Sequence, residues 1–159
     1  MHLRRRGRRY DAFSILRPTS PFRLPGTIQR AWRAFADDRQ ADSLRAVEKC
    51  SEHPGKMWVV RGDRMTPLMP FGTPELPWHS TPYQALPVVH AQNASLEMAW
   101  SRVVFEQHSI SGQVVRPFFT EGYEGYDINN PLDWMLGEKL IAEGLAVLPD
   151  VDRAPWSGD

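Results

Sequence analysis

The chain has 159 residues, of which 42% are hydrophobic and 24% are charged, and this composition fits one globular domain with its own core. No apolar run approaches the roughly 18 residues of a membrane helix, and the basic start lacks the apolar segment of a secretory signal, so we expect a cytoplasmic protein without a membrane partner. A lone cysteine, Cys50, excludes a disulfide framework and a cysteine-based zinc site.

The net charge is zero, but the two halves differ in sign. Residues 1–80 carry 15 Lys and Arg against 8 acids, whereas residues 81–159 carry 4 against 11. Five arginines lie within residues 4–9, either as a basic arm for nucleic acid or as a solvated helix end before a strand. No aromatic residue interleaves them, which favours the helix end, and we expect no nucleic-acid partner.

The first half of the chain predicts strands, a helix and a proline-rich segment. Short apolar runs predict strands at 10–16, 43–50 and 57–61, the last turning at Gly62-Asp63. Helical spacing of apolar residues predicts a helix over 25–36. Six prolines between 67 and 87 exclude an ordinary helix or central strand there. The apolar side chains of that excursion need a cover, from its own domain or from a second subunit.

The second half alternates strand and helix signals. Leu96, Met98 and Trp100 alternate with Ser95, Glu97 and Ala99, which predicts a half-buried strand, followed by a short helix at 101–108 and a strand at 113–120. The last helix has Asn130 as N-cap, Pro131 and Asp133 in its first turn, and Gly144 as its stop. Its predicted buried stripe consists of Leu132, Met135, Leu136, Leu140 and Ile141. The alternation predicts an α/β fold.

Several stretches could carry chemistry at the ends of these strands. In RPTSPFR, residues 17–23, Arg17 offers a guanidinium for a carboxylate or phosphate, and Thr19 and Ser20 offer hydroxyls. The alternative is a proline-rich turn in which those hydroxyls bind the backbone. Lys56 in HPGKMW places a cation at a strand start, or is a surface lysine.

Two further polar groups have equally open interpretations. Gln92 and Asn93 place two amides at the start of a strand. These amides either recognise the hydroxyls or nucleobase of a ligand or form a turn at the strand entry. Asp127 and Asn129 stand two apart before the last helix and so share one face of an extended chain. Their oxygens could hold Mg²⁺ together with phosphate and water, or they form a capped turn.

Taken in order, these stretches resemble the cytidylyltransferases that make CMP-activated sugar acids, such as acylneuraminate cytidylyltransferase. The matching elements are YDAFSILRPTSPFR, HPGKMW, the proline-rich stretch ending in YQALP, the QNAS strand and YDINNPLDW. They cover roughly residues 10–145. The resemblance implies a single domain over 1–159 that forms the C-terminal two-thirds of a Rossmann-like nucleotidyltransferase sheet, mixed and mostly parallel. It also implies a dimerisation excursion at 62–90, and we expect a loose tail at 149–159.

The resemblance implies that CTP and a 2-keto sugar acid of the sialic-acid type give a CMP-sugar and pyrophosphate with Mg²⁺, in a homodimer. It implies catalytic roles for Lys56 and Arg17 at the sugar carboxylate, and a metal site at Asp127 and Asn129. The remaining substrate-binding residues implied are Thr19, Ser20, Gln84, Gln92 and Asn93.

The chain also departs from the family pattern. Arg17 stands where the family usually has Gln, Ala94 replaces Gly, Tyr83 replaces a frequent Arg, and Asn129 replaces the second metal-binding Asp. The family's first strand and its Leu-x-x-Arg-x-Pro-x-Lys-Asn loop, which wraps the triphosphate, have no counterpart; Arg23-Leu24-Pro25-Gly26 only imitates part of that loop. We therefore expect a truncated, inactive chain. The alternatives are a non-catalytic remnant that keeps a dimer surface, and an enzyme for another nucleotide.

Overall fold

The computed structural model describes residues 9–152 and 154 and divides the chain into two compact units. The first unit combines the residues up to Val47 with those from Gln92 onward, and the second comprises Glu48–Ala91. Four of the five clustered arginines, those within 4–8, lie outside the described residues, as does most of the predicted tail beyond 152.

A mixed sheet is formed by four strands, β1 (Ala12–Ile15), β2 (Ser43–Lys49), β5 (His90–Trp100) and β6 (Val115–Phe119). Their order in the sheet is β1-β5-β2-β6. β1 pairs with β5 in antiparallel fashion, and β2 pairs with β6 in parallel. The predicted α/β class is confirmed, and β5 begins earlier than the sequence pattern indicates.

The core lies between this sheet and α1 (Pro25–Asp37). Ala31 and Phe35 of α1 are buried against Leu44, Leu96 and Met98 of the sheet. The helix starts with Pro25 because its fixed φ suits the first turn. The prediction of a half-buried β5 is wrong, because the Ser95, Glu97 and Ala99 side is buried as well as the Leu96 side.

One close approach in the first unit fixes the chain before β6. Gly112 has φ +72°, and a Cβ there would lie 2.4 Å from the Cβ of Asp42. The carboxylate of Asp42 accepts hydrogen bonds from the N–H groups of Gln113 (2.8 Å) and Val114 (3.3 Å). Asp42 also pairs with Arg102 at 2.7 Å, so this buried acid has a complete structural role.

The short helix predicted after β5 is present as α2 (Ser101–Gln107), and the last helix, α3 (Pro131–Ala142), begins as predicted. The Asn130 side chain accepts hydrogen bonds from the N–H groups of Leu132 and Asp133, and the Asp133 carboxylate accepts one from the N–H of Asn130. The predicted buried stripe is wrong except for Leu140. The apolar residues of this helix are distributed around its whole circumference, but a single face packs on Tyr126 and Phe22. Only Leu140 and Gly137 of the helix are therefore buried. The exposed members of the stripe are Leu132, Met135, Leu136 and Ile141.

The second unit contains the hairpin of β3 (Trp58–Arg61) and β4 (Arg64–Pro67), which turns at Gly62 as predicted. Its buried centre is His53, whose Nδ1 accepts a hydrogen bond from the N–H of Gly55 and whose Nε2 donates to the carbonyl of Pro87, both at 2.9 Å. The unit leaves several large apolar side chains exposed, namely Met57, Trp58, Val60, Met65, Leu68, Phe71, Leu76 and Val88. The homodimer expected through 62–90 stays a prediction.

Candidate functional site

The loop 17–23 lies at the carboxyl end of β1 and closes on one carbonyl group. The Arg17 carbonyl accepts hydrogen bonds from the N–H of Ser20 at 3.3 Å and from both terminal nitrogens of Arg23 at 3.1 Å. These bonds hold the loop as a compact turn, and the Arg17 side chain is 55% exposed. Thr19 is exposed, whereas Ser20 is buried.

This loop packs on the segment before α3, which lies more than a hundred residues later in the chain. The N–H of Ile128 donates to the carbonyl of Thr19 at 2.9 Å, and the ring of Phe22 lies 5.4 Å from that of Tyr126. Two stretches singled out from the sequence, RPTSPFR and YDINNP, therefore adjoin in the fold. The capping box of Asn130 and Asp133 fixes the second of them.

The third segment of the site is β5, where Glu97 contacts two of the predicted residues. Its Oε1 atom lies 3.3 Å from Nη2 of Arg17 and 3.4 Å from Nε2 of Gln92. Its Oε2 atom pairs with Nη1 of the buried Arg45. The structure thus brings Arg17 and Gln92 together on one buried carboxylate.

The site is rich in positive charge and in polar atoms that lack partners. Arg23 donates to the carbonyl of Ser95, and burial lowers the pKa of its guanidinium from the ordinary value. The Oγ atoms of Ser20 and Ser95 are buried, and neither has a hydrogen-bond partner among the described residues. An unsatisfied buried hydroxyl costs about 1–3 kcal/mol, so an added ligand or water is favoured there. Glu97 pairs with Arg17 and Arg45, while Arg23 binds the carbonyl two residues earlier on β5.

Asn93 has a different environment from Gln92. Its Nδ2 donates to Oγ1 of Thr120 at 2.9 Å, and its Oδ1 accepts from the N–H of Ser95 at 3.2 Å. Both ends of this amide therefore bind protein groups and brace the start of β5 against the end of β6. Gln92 and Asn93 both lie inside β5, so the alternative of a turn at the strand entry is wrong.

The predicted metal pair lies in the segment before α3. Oδ1 of Asp127 is buried and has no hydrogen-bond partner among the described residues, while Asn129 is exposed and its N–H donates to Asp133 at 2.8 Å. Within residues 9–152 and 154, no three His, Cys, Asp or Glu side chains gather as a metal cluster. A lone unsatisfied carboxylate fits Mg²⁺, which commonly takes one or two carboxylates and completes its shell with phosphate and water.

Lys56 and Gln84 belong to the second unit. Lys56 ends the short helix Pro54–Lys56, and its Nζ donates to the carbonyl of His79 at 2.9 Å. Gln84 lies in the short helix Tyr83–Ala85 and lines a cavity of about 280 Å³ beside His53 and Lys49. The seven other predicted residues lie in the first unit.

Sequence reasoning missed Glu97, Arg45 and Ser95, and treated Arg23 only as an imitation of the triphosphate loop. Glu97 and Ser95 were placed on the polar side of an alternating strand, and such a side is normally solvated. The available signal was the pair of Arg45 and Glu97, two opposite charges on predicted strands, since buried charges in a sheet occur in pairs.

Glu124 ties α1 to the chain that leads to Asp127. Its carboxylate accepts hydrogen bonds from both terminal nitrogens of Arg30, at 2.6 and 3.1 Å, and from Oγ1 of Thr27 at 2.6 Å. Burial raises the pKa of Glu124, but the hydrogen bonds from Arg30 and Thr27 outweigh it and bring the pKa below the ordinary value of 4.5.

We predict that Glu124→Gln lowers the free energy of unfolding by about 1 kcal/mol at neutral pH, a modest value because solvent screens Arg30. A lowered folded-state pKa stabilises above pH 4.5, and this stabilisation disappears as the pH falls through the folded value. Urea unfolding of both proteins between pH 3 and 7 measures the gap, which should close at the acid end. Glu121→Gln, at a 73% exposed carboxylate 3.5 Å from Arg30, is the control and should change little. A gap that is constant with pH would contradict the assignment.

No family model matches the chain, but a curated protein is similar to it. The relative is CMP-N,N'-diacetyllegionaminic acid synthase of Legionella pneumophila, which is 29% identical over 133 residues. The match covers 83% of this chain and 54% of the relative, so the chain spans about half the length of that synthase. In the described part of the chain, no helix has the length and apolarity needed to cross a membrane. The chain is a distant homologue of this synthase, and the similarity supports a cytidylyltransferase family.

Proposed function

We propose that the protein is a cytidylyltransferase of the CMP-sugar-acid type, in which CTP and a 2-keto sugar acid of the sialic-acid class give a CMP-sugar and pyrophosphate. The expectation that these 159 residues alone do not turn over CTP stays a prediction beside it. The fold would then be part of a Rossmann-like nucleotidyltransferase sheet. The observation that carries the proposal is the meeting of loop 17–23, the start of β5 and the segment 127–129 in the first unit. The distant similarity to a CMP-sugar-acid synthase agrees with it.

The sugar acid is assigned to Arg17 and its neighbours. The exposed guanidinium of Arg17 forms a charge-assisted bond with the carboxylate, and the hydroxyls of Ser20 and Ser95 lack partners among the described residues. Thr19 and Gln92 border the same loop and offer groups for sugar hydroxyls. Asn93 braces the strand start. The roles of Lys56 and Gln84 stay predictions from the resemblance.

In the reaction, the anomeric hydroxyl of the sugar attacks the α-phosphorus of CTP. One P–O bond forms to the sugar, the bond to the pyrophosphate leaving group breaks, and the hydroxyl proton passes to solvent or base. The protein's part is to hold the sugar acid in line and to supply cations near the developing charge, without a covalent intermediate. Asp127 and Asn129 would hold Mg²⁺, which when bound would neutralise charge on the phosphate oxygens.

We predict that Arg17→Gln weakens the binding of a 2-keto sugar acid by about tenfold or more, because a neutral amide replaces a charge-assisted bond worth about 1.5–3 kcal/mol. Isothermal titration calorimetry on the chain as it stands measures the affinity. Arg33→Gln, on the exposed side of α1, is the matched control and should bind like the unchanged protein. Equal affinities for all three proteins, or no binding by any of them, would contradict the proposed sugar-acid site.

We predict that Asp127→Asn weakens Mn²⁺ binding in the presence of CTP by about tenfold, because it removes the only formal negative charge of the pair. Asn129→Asp should tighten binding in the opposite direction. The readout is paramagnetic broadening of the Ile128 and Asn129 amide signals, which does not require turnover. Identical titrations for the three proteins would return Asp127 to a turn residue before a capped helix.

A further inference from the structure

The carboxylate of Glu97 contacts the interior of the sheet on one side and the candidate site on the other. One carboxylate oxygen, Oε2, faces the buried Arg45 on the neighbouring strand, and the other, Oε1, faces Arg17 and Gln92. Arg45 is in turn held by the carbonyl of Ile110 at 2.8 Å and by Oγ of Ser111 at 2.7 Å. Arg45, which pairs with Oε2 of Glu97, is therefore itself held by two further hydrogen bonds.

We propose that Glu97 is a positioning residue, which holds the Arg17 guanidinium and the Gln92 amide in the arrangement that receives the sugar acid. This inference rests on the proposed function for the identity of the ligand. The positioning itself rests on the contacts of Glu97 alone.

A positioning group is needed because the Arg17 side chain loses conformational entropy when it binds a ligand. This side chain is 55% exposed and has four rotatable bonds, so its guanidinium would sample many positions in solution. A carboxylate that is 7% exposed and anchored from behind removes much of that freedom before any ligand arrives. Pre-ordering of this kind raises affinity without a new contact to the ligand.

The contact with Glu97 leaves part of the Arg17 guanidinium available to bind an anion. Oε1 of Glu97 contacts Nη2 of Arg17 at 3.3 Å, so the contact uses one edge of the guanidinium. Arg23 and Arg45 add two positive charges to the same loop and strand region, so one acid does not cancel the positive field. The site can thus be both ordered and attractive to an anion.

The first measurement tests positioning without any ligand, by NMR order parameters of the Arg17 Nε–H group. We expect an ordered Arg17 in the unchanged protein and a loosened one in Glu97→Gln. The matched control is Asp42→Asn, since Asp42 is also a 7% exposed acid paired with an arginine, and it contacts none of the predicted site residues. An Arg17 that is mobile from the start, or that Asp42→Asn loosens equally, overturns the inference.

Glu97→Gln leaves Arg45 without its buried partner and can unfold the chain. In that event Glu97→Asp carries the test, because it keeps the negative charge beside Arg45 but shortens the reach toward Arg17 and Gln92. An unchanged order parameter for Arg17 in Glu97→Asp, in a folded protein, overturns the inference.

The second measurement is a double-mutant cycle of sugar-acid affinity by calorimetry. We expect the Glu97 variant to lose about fivefold to tenfold in affinity with Arg17 present, and less than about twofold in the Arg17→Gln background. Equal losses in both backgrounds overturn the inference. If no protein binds the sugar acid while the order parameters behave as expected, the proposed function fails and the positioning role stands.

Discussion

The buried ion pair between Arg45 on β2 and Glu97 on β5 is the interaction on which the first unit and its candidate site both depend. Either charge alone would destabilise the folded state because it would be buried without a partner. Removal of one partner from such a pair lowers the free energy of unfolding by about 3–5 kcal/mol. Further polar groups stabilise both charges: Ile110 and Ser111 bind Arg45, and Arg17 and Gln92 contact Glu97. The pair therefore ties the centre of the sheet to its functional edge.

The site carries an excess of arginines although the chain has no net charge, and hydrogen bonds join its segments. Loop 17–23 is closed by bonds to a single carbonyl, it packs on the segment before α3, and Arg23 attaches it to β5. Three segments far apart in sequence thus form one surface. The unpaired oxygens of Ser20, Ser95 and Asp127 face no partner among the described residues, which leaves them for ligand, ion or water.

The sequence predicted the features that local chemistry decides. The proline at the start of α1, the turn at Gly62 and the capping box at Asn130 each have a local cause, and each appears in the structure. The location of RPTSPFR at a strand end was predictable for the same reason.

Features that depend on tertiary packing were not predictable. The alternation in β5 indicated a solvated face for Glu97, because the sequence does not reveal that Arg45 and Arg17 pair with Glu97 there. The apolar stripe of α3 indicated burial, but the helix is apolar around its circumference and packs through Gly137 and Leu140 alone. The distant similarity to a CMP-sugar-acid synthase supports the chemistry without locating the site.

In the proposed function, a sugar acid binds at the junction of loop 17–23, the start of β5 and residues 127–129. Amide chemical-shift mapping during titration with a nine-carbon 2-keto sugar acid is the direct test. We expect saturable shifts confined to these three segments. The proposal is contradicted if no amide responds, or if the shifts cluster at the other end of β1, where Trp32, Arg39 and Trp100 line a cavity of about 560 Å³.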